Sequence, residues 1–213
     1  AAGAQIRTFH SFGAWFLRRY ADEAGLSPSF TVYDDNDSAL LITKAVPAMK
    51  KREASIAAHK IALAKDYCLS PDDDLSEIDV REEFPETYRA YQNRLRSTGN
   101  ADFGDLIMLP VRIMEQNPHI RAQMHRRFRV IMVDEYQDSN IAQFKLLQML
   151  AGLDEGSGTY VCVVGDDDQS IYSWRGADYK NIVQFEKDFP DVKEIRLEQN
   201  YRSTETILAA ANG

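Results

Sequence analysis

Four short apolar runs punctuate the chain, and each passes directly into a polar cluster. AQIRT (4–8) leads into FHSF, FRVIMV (128–133) into DEYQD, TYVCVV (159–164) into GDDDQ, and VKEIRL (192–197) into EQNYRST. Apolar runs of this length, bounded by polar turns, predict strands buried on both faces, as in a parallel sheet covered by helices. The segments between them carry a helical period. Phe12, Trp15, Phe16 and Tyr20 recur at helical spacing within 11–24, with Gly25 as a stop. IAQFKLLQMLAG (141–152) predicts a second amphipathic helix ending at glycine, and YKNIVQFEKDF (179–189) a third. Alternation of strand and helix predicts a doubly wound α/β sheet, whose ligands gather at the carboxyl ends of the strands. All four polar clusters are expected on that edge.

Residues 26 to about 120 break the alternation. They lack convincing strands and predict helices over 34–46 (with Asp34 as N-cap), 51–68, 82–97 and 103–116, around a charged, proline-bearing loop, SPDDDLSEI, at 70–78. The expected organisation is an α/β core, residues 1–25 and 121–213, from which a helical subdomain, residues 26–120, erupts.

Composition adds bounds rather than detail. With 44% hydrophobic and 27% charged residues the chain is an ordinary globular one, and no apolar run approaches the roughly 18 residues of a membrane span. The two cysteines, Cys68 and Cys162, lack metal-ligand spacing, so the expectation is a reduced, cytoplasmic protein without a membrane partner. The net charge of −8 argues superficially against nucleic acid, but it is unevenly spread. Residues 1–70 carry nine basic and seven acidic side chains, and residues 136–213 carry seven and thirteen. The densest basic stretch, RAQMHRRFR (121–129), reads first as a solvated helix end and second as a phosphate-contact face.

The polar clusters supply the candidate chemistry. A buried strand that ends in Asp134 and Glu135 delivers adjacent carboxylates to the sheet edge. One can hold Mg²⁺ through its water shell while the other orients or deprotonates a water. In GDDDQSIYSWRGAD (165–178), Gln169 is placed to sense a phosphate or a positioned water. Tyr172 and Trp174 alternate along an extended segment and can face the same way, and stacking on such rings contributes about 1–3 kcal/mol per base. Trp174 alone is as readily a core residue. Arg175 is suited to a nucleic-acid backbone or a carboxylate. In NYRST (200–204), Tyr201 offers a flat ring and Arg202 a planar fork for phosphate oxygens, although an isolated arginine here reads first as a structural ion pair.

TFHSF, DFGDLI, VDEYQDSN, VVGDDDQSIYSWRGAD and LEQNYRST, in this order, resemble the motifs of UvrD/Rep/PcrA-type superfamily 1 DNA helicases. The resemblance spans nearly the whole chain and is most specific over 128–204. It implies a RecA-like parallel sheet of the P-loop NTPase type (the first RecA-like domain, 1A), with the helical insertion as subdomain 1B. It implies ATP and Mg²⁺ as cofactors, with Asp134 on Mg²⁺, Glu135 as catalytic base, Gln169 as γ-phosphate sensor, Tyr201 stacked on adenine and Arg202 as arginine finger. Tyr172 and Trp174 would stack on single-stranded DNA, Arg175 would link them to the nucleotide side, and Thr8 and His10 would face the DNA. Taken alone, His10 reads as a packed or capping histidine. The implied activity is 3′–5′ translocation on single-stranded DNA and at single-strand/double-strand junctions.

One departure from the pattern matters. A phosphate cradle needs G-x-x-x-x-G-K-[ST], and no glycine in this chain is followed by lysine. The expectation is a segment of a larger ATPase, cut at both ends, which hydrolyses ATP poorly or not at all by itself. Two other readings share the motifs: a helicase-like subunit of a recombination nuclease complex, and a non-catalytic DNA-binding or interaction module. A stand-alone metal nuclease explains neither Trp174 nor Arg202.

Overall fold

The computed structural model describes residues 4–152, 158–166, 185, 187–189 and 191–211. Gln169, Tyr172, Trp174, Arg175 and most of the helix expected over 179–189 lie outside the described residues.

In chain order, the helical elements before the main sheet are α1 (Phe9–Arg19), α2 (Ala21–Ala24), α3 (Asp35–Ala45), α4 (Lys51–Asp66), α5 (Phe84–Ser97), α6 (Asp105–Gln116) and α7 (Pro118–Arg127). Two-residue strands β1 (Val32–Tyr33) and β2 (Ala101–Asp102) pair in parallel among them. Then come β3 (Val130–Val133), a 3₁₀ turn at Tyr136–Asp138, α8 (Ile141–Ala151) and β4 (Tyr160–Val163). A further helix, Glu205–Ala211, closes the described residues. Local signals set most of these boundaries. Asp34 caps α3 in a reciprocal box with Asp37, Asn140 does the same for α8 with Gln143, and Gly25 and Gly152 end α2 and α8 in the left-handed conformation.

The parallel α/β expectation holds at its centre. β3 and β4 run parallel in the register Val130↔Tyr160 to Val133↔Val163, with α8 as the crossover helix. Three details differ from the sequence pattern. Residues 4–8 and 192–197 are not assigned to strands: among the described residues neither segment has a ladder partner, and Ile6 is 98% and Leu197 83% exposed. Alternating composition favours a strand only where a neighbour satisfies its backbone groups. Burial on both faces also fails, because Val130, Met132 and Tyr160 are exposed while Ile131, Val161 and Val163 pack inward beside α8. Finally, β1 and β2 lie inside the region expected to lack strands. At two residues each they are too short to show a period.

Apolar residues gather in separate clusters. One joins α1, α2, α6, α7 and α8 through Phe16, Leu17, Met114, Met124 and Leu146. A second joins α3, α4 and α5 through Ile42, Ile61, Tyr88, Leu95 and the small-residue positions Ala54, Ala57, Ala58 and Ala64 of α4. Spacing of three and four residues puts those small side chains on one stripe, so α3 and α5 approach closely. A third, smaller cluster ties Val133 and Tyr136 to Phe144, Leu147, Phe185 and Phe189, with Phe9 packed against it.

The contact of α1 with α6 has a specific cause. Pro110 lies inside α6 and has no N–H, so the Leu106 carbonyl loses its ordinary intrahelical donor. Gly13 of α1 sits against that carbonyl, where a Cβ would come within 1.7 Å of the Leu106 oxygen. Only a residue without a side chain fits there.

A polar joint links the second cluster to α6. Lys65 of α4 is fully buried, and its Nζ donates to Asp102 Oδ2 at 2.5 Å and to Asp105 Oδ1 at 2.8 Å. Arg96 Nη2 lies 2.9 Å from Asp105 Oδ2, and Tyr91 OH donates to Asp102 Oδ2 at 2.8 Å. Asp102 and Asp105 also accept from each other's backbone N–H, which starts α6. Gly104 leaves room for the lysine stem, since a Cβ there would meet Lys65 Cβ at 2.8 Å. DFGD is thus a folding joint as well as a motif.

Next to this joint, Asn140 Nδ2 donates to Asp66 Oδ1 at 2.8 Å. Burial, then the nearby Asp102 charge, pushes the Asp66 carboxyl up to about 6. A raised folded-state pKa favours the fold at acid pH, and that contribution is lost as pH rises from about 4 through 6. Asp66→Asn is therefore expected to stabilise the chain by about 1–3 kcal/mol at pH 7.5 and to be neutral near pH 4. Urea unfolding at the two pH values checks it, and equal effects at both would contradict the assignment.

Candidate functional site

The main cleft is built from the carboxyl end of β3 and the segment just beyond β4. Two backbone bonds lock these ends together: Val164 N donates to Val133 O at 2.8 Å, and Tyr136 N donates to Val164 O at 2.9 Å. Between them the chain turns sharply, and Glu135 adopts the left-handed conformation (φ 51°). A non-glycine residue held there stores backbone strain, and such strain concentrates at functional sites. The turn presents both carboxylates of the pair at the sheet edge.

Each carboxylate is oriented. Asp134 Oδ1 accepts from Glu135 N at 3.0 Å. Glu135 Oε2 accepts from Gln137 Nε2 at 2.7 Å, while its other oxygen has no hydrogen bond among the described residues. Gln137 is 1% exposed, and its Oε1 in turn accepts from Asp166 N at 3.1 Å. One buried amide therefore fixes Glu135 against the β4 end. Sequence pattern alone placed Gln137 in a polar cluster without a role; its spacing two residues past the glutamate was the available signal. Asp138, close by, has its carboxyl raised by burial and then by the Glu135 charge.

Tyr201 and Arg202 complete the cleft. Asn200 Oδ1 accepts from Arg202 N at 2.9 Å and Ser203 N at 2.8 Å, forming a turn that leaves Tyr201 86% exposed. The Arg202 guanidinium has no ion pair among the described residues, so the structural ion pair that an isolated arginine suggests is not found. Asp134, Glu135, Asp166, Tyr201 and Arg202 line one cavity of about 300 Å³, at the lower end of small-ligand sites. A flat ring, a guanidinium and adjacent hard-oxygen donors suit a base, a phosphate chain and Mg²⁺. No group of three or more metal-ligating side chains is found among the described residues. Two adjacent carboxylates, Asp134 and Glu135, suit Mg²⁺, which keeps most of its water and takes one or two carboxylates.

Thr8 and His10 are elsewhere, at the start of α1. Thr8 caps the helix, with its Oγ1 accepting from Ser11 N at 3.2 Å. The His10 ring stacks on Phe103, centroids 3.8 Å apart and 19° from parallel. Burial lowers the His10 pKa to about 4, so the imidazole is neutral at physiological pH. Phe103 is 57% exposed, which leaves a flat ring facing solvent with a second ring behind it. Phe103 lies in the DFGDLI segment, and its sequence context alone gives it no role. Phe9, next to His10, packs against the Val133–Tyr136 cluster, so the ring pair and the carboxylate turn share one packed support.

A family model described as the UvrD/REP helicase N-terminal domain matches residues 1–190. The chain belongs to this family. Among curated relatives, the ATP-dependent DNA helicase PcrA of Staphylococcus aureus (strain NCTC 8325 / PS 47) is 42% identical over 213 residues, covering 97% of this chain and 29% of that protein. PcrA of Staphylococcus epidermidis (strain ATCC 12228 / FDA PCI 1200) is 41% identical with the same coverage. The chain thus spans 29% of the length of these relatives. UvrD/REP membership accounts for the parallel β3–β4 pair and for the polar clusters beyond it. No helix among the described residues is long and apolar enough to cross a membrane.

Proposed function

We propose that this chain is the part of an ATP-dependent DNA helicase, translocating 3′ to 5′, that carries ATP-hydrolysing carboxylates and part of the single-stranded DNA track. The observation that carries this reading is the cleft, where Asp134 and Glu135 at the end of β3 face Tyr201 and Arg202 across about 300 Å³. Asp134 would hold Mg²⁺, and Glu135 would position and deprotonate the attacking water. Tyr201 stacks on the base, and Arg202 stabilises charge on the transferring phosphate, a role worth roughly 10³–10⁵ in rate. Bound Mg²⁺·ATP supplies the electrophilic phosphorus and its charge screen. Within these 213 residues no G-x-x-x-x-G-K-[ST] cradle is present, so the chain alone hydrolyses ATP poorly or not at all.

The exposed face of Phe103, backed by neutral His10, stacks on a DNA base, and Tyr172 and Trp174 extend that track with Arg175 linking it to the nucleotide side. Gln169 senses the γ-phosphate. Packing supports a helical subdomain limited to α3–α5, with α6 and α7 belonging to the α/β core. Substrates are single-stranded DNA and its junctions with duplex.

Unwinding by the full-length protein tests this reading. Duplexes with a 3′ single-stranded tail are expected to be separated in an ATP-dependent reaction, and 5′-tailed duplexes are not. Separation of both, or of the 5′-tailed substrate alone, contradicts the polarity. Separation of neither contradicts the helicase assignment.

A further inference from the structure

A second cavity, of about 350 Å³, lies at the far end of α1 from His10, between the carboxyl ends of α1 and α7. Arg19, Arg126 and Arg127 line it, together with Gln123. Arg19 is nine residues beyond His10 on α1, so it lies ~13.5 Å along the helix from the ring pair. Arg127 also precedes β3, whereas Asp134 follows it, so cavity and carboxylates occupy opposite ends of that strand.

All three arginines are exposed, and none forms an ion pair among the described residues, in a chain of net charge −8. Basic residues do suit helix carboxyl ends, but each such end offers only about half a negative charge. Two ends therefore leave about two of the three positive charges unmatched. Two of the three guanidiniums also lie against aromatic rings. Arg127 lies over the rings of Trp15 (5.2 Å) and Phe128 (5.8 Å), and Arg19 lies over Tyr20 (5.8 Å). Tyr20 OH donates to Gln123 Oε1 at 3.0 Å, tying α1 to α7 across the cavity floor. A guanidinium stacked on a ring keeps its N–H edge available for phosphate oxygens.

We propose that this cavity binds the phosphate backbone of double-stranded DNA. The choice of DNA among polyanions rests on the helicase reading; the anion site itself does not. Duplex is favoured over single strand because the rings here lie beneath the guanidiniums and leave no free face for an unpaired base. Duplex also presents one charge per ~1.7 Å of axis.

The test uses the 213-residue chain and a fluorescein-labelled blunt duplex of about 20 base pairs, titrated by anisotropy over a salt series. A blunt duplex offers Phe103 no unstacked base, so its binding isolates the arginine cavity. The Arg19→Gln/Arg126→Gln/Arg127→Gln variant is expected to bind at least tenfold more weakly at low salt. Its salt slope should be shallower by about two to three, the release of three phosphate contacts. Phe103→Ala is expected to bind duplex normally and oligo-dT more weakly. Normal oligo-dT binding by Phe103→Ala would remove the base-stacking role and leave the cavity assignment standing. Equal duplex slopes for the unaltered chain and the arginine variant would overturn the proposal. So would displacement of duplex by poly-L-glutamate at a lower charge concentration than by unlabelled duplex, which identifies an acidic-protein contact. Should the triple variant melt early by circular dichroism, Arg126→Gln and Arg127→Gln singly are each expected to lower the slope by about one.

Discussion

Lys65→Met is expected to cost the chain about 3–5 kcal/mol of folding stability, measured by urea unfolding at pH 7.5. The side chain is fully buried and donates to both Asp102 and Asp105. Removing it leaves two carboxylates facing Arg96 as the remaining cation of the joint. Burial pushes the Asp105 carboxyl up, but Lys65 and Arg96 outweigh it and hold the group below the ordinary range. A depressed acid contributes stability above its unfolded pKa and loses it as pH falls. The gap between the unaltered chain and Lys65→Met should therefore narrow toward acid pH, because the variant's Asp105 protonates more easily. Lys65→Met combined with Asp102→Asn restores charge balance around the Arg96–Asp105 pair and should recover part of the loss. A cost below about 1 kcal/mol for Lys65→Met would mean that the joint is solvated rather than buried.

Glu135→Gln in the full-length protein is expected to lower kcat for ATP hydrolysis by about 10²–10⁴, the range for losing a positioned general base. KM should change little, because the amide keeps the shape of the side chain while Asp134, Tyr201 and Arg202 remain. The geometry behind this is specific: the left-handed turn aims Glu135, and Gln137 holds one of its oxygens at 2.7 Å. A fall of less than tenfold in single-turnover phosphate release would place the base elsewhere.

Much of this arrangement was legible in the residues, and the exceptions share a cause. Helix starts at Asp34 and Asn140 and stops at Gly25 and Gly152 follow from side-chain caps and left-handed glycines, which are local chemistry. The Asp134–Glu135 pair was readable because an apolar strand followed by carboxylates fixes where the chain must turn. The segments at 4–8 and 192–197 misled for the opposite reason. A strand needs a paired neighbour, and among the described residues these runs have none, with Ile6 and Leu197 exposed. Non-local packing hid the rest. Phe103 acquires meaning only when His10, 93 positions earlier, lies under it. Lys65 reads as a surface lysine at the end of a helix until Asp102 and Asp105 close over it. The basic stretch at 121–129 carries a phosphate-contact reading only as its second choice, and what the sequence could not show is that Arg19 of α1 joins Arg126 and Arg127 around one cavity.

Under the proposed function, the carboxylate cleft and the His10–Phe103 ring pair belong to one coupled device. Steady-state phosphate release by the full-length protein, with and without oligo-dT, tests it most directly. Slow ATP hydrolysis without DNA, strong stimulation by oligo-dT, and a higher oligo-dT requirement for Phe103→Ala are expected. Hydrolysis that proceeds at the same rate with and without DNA would contradict it.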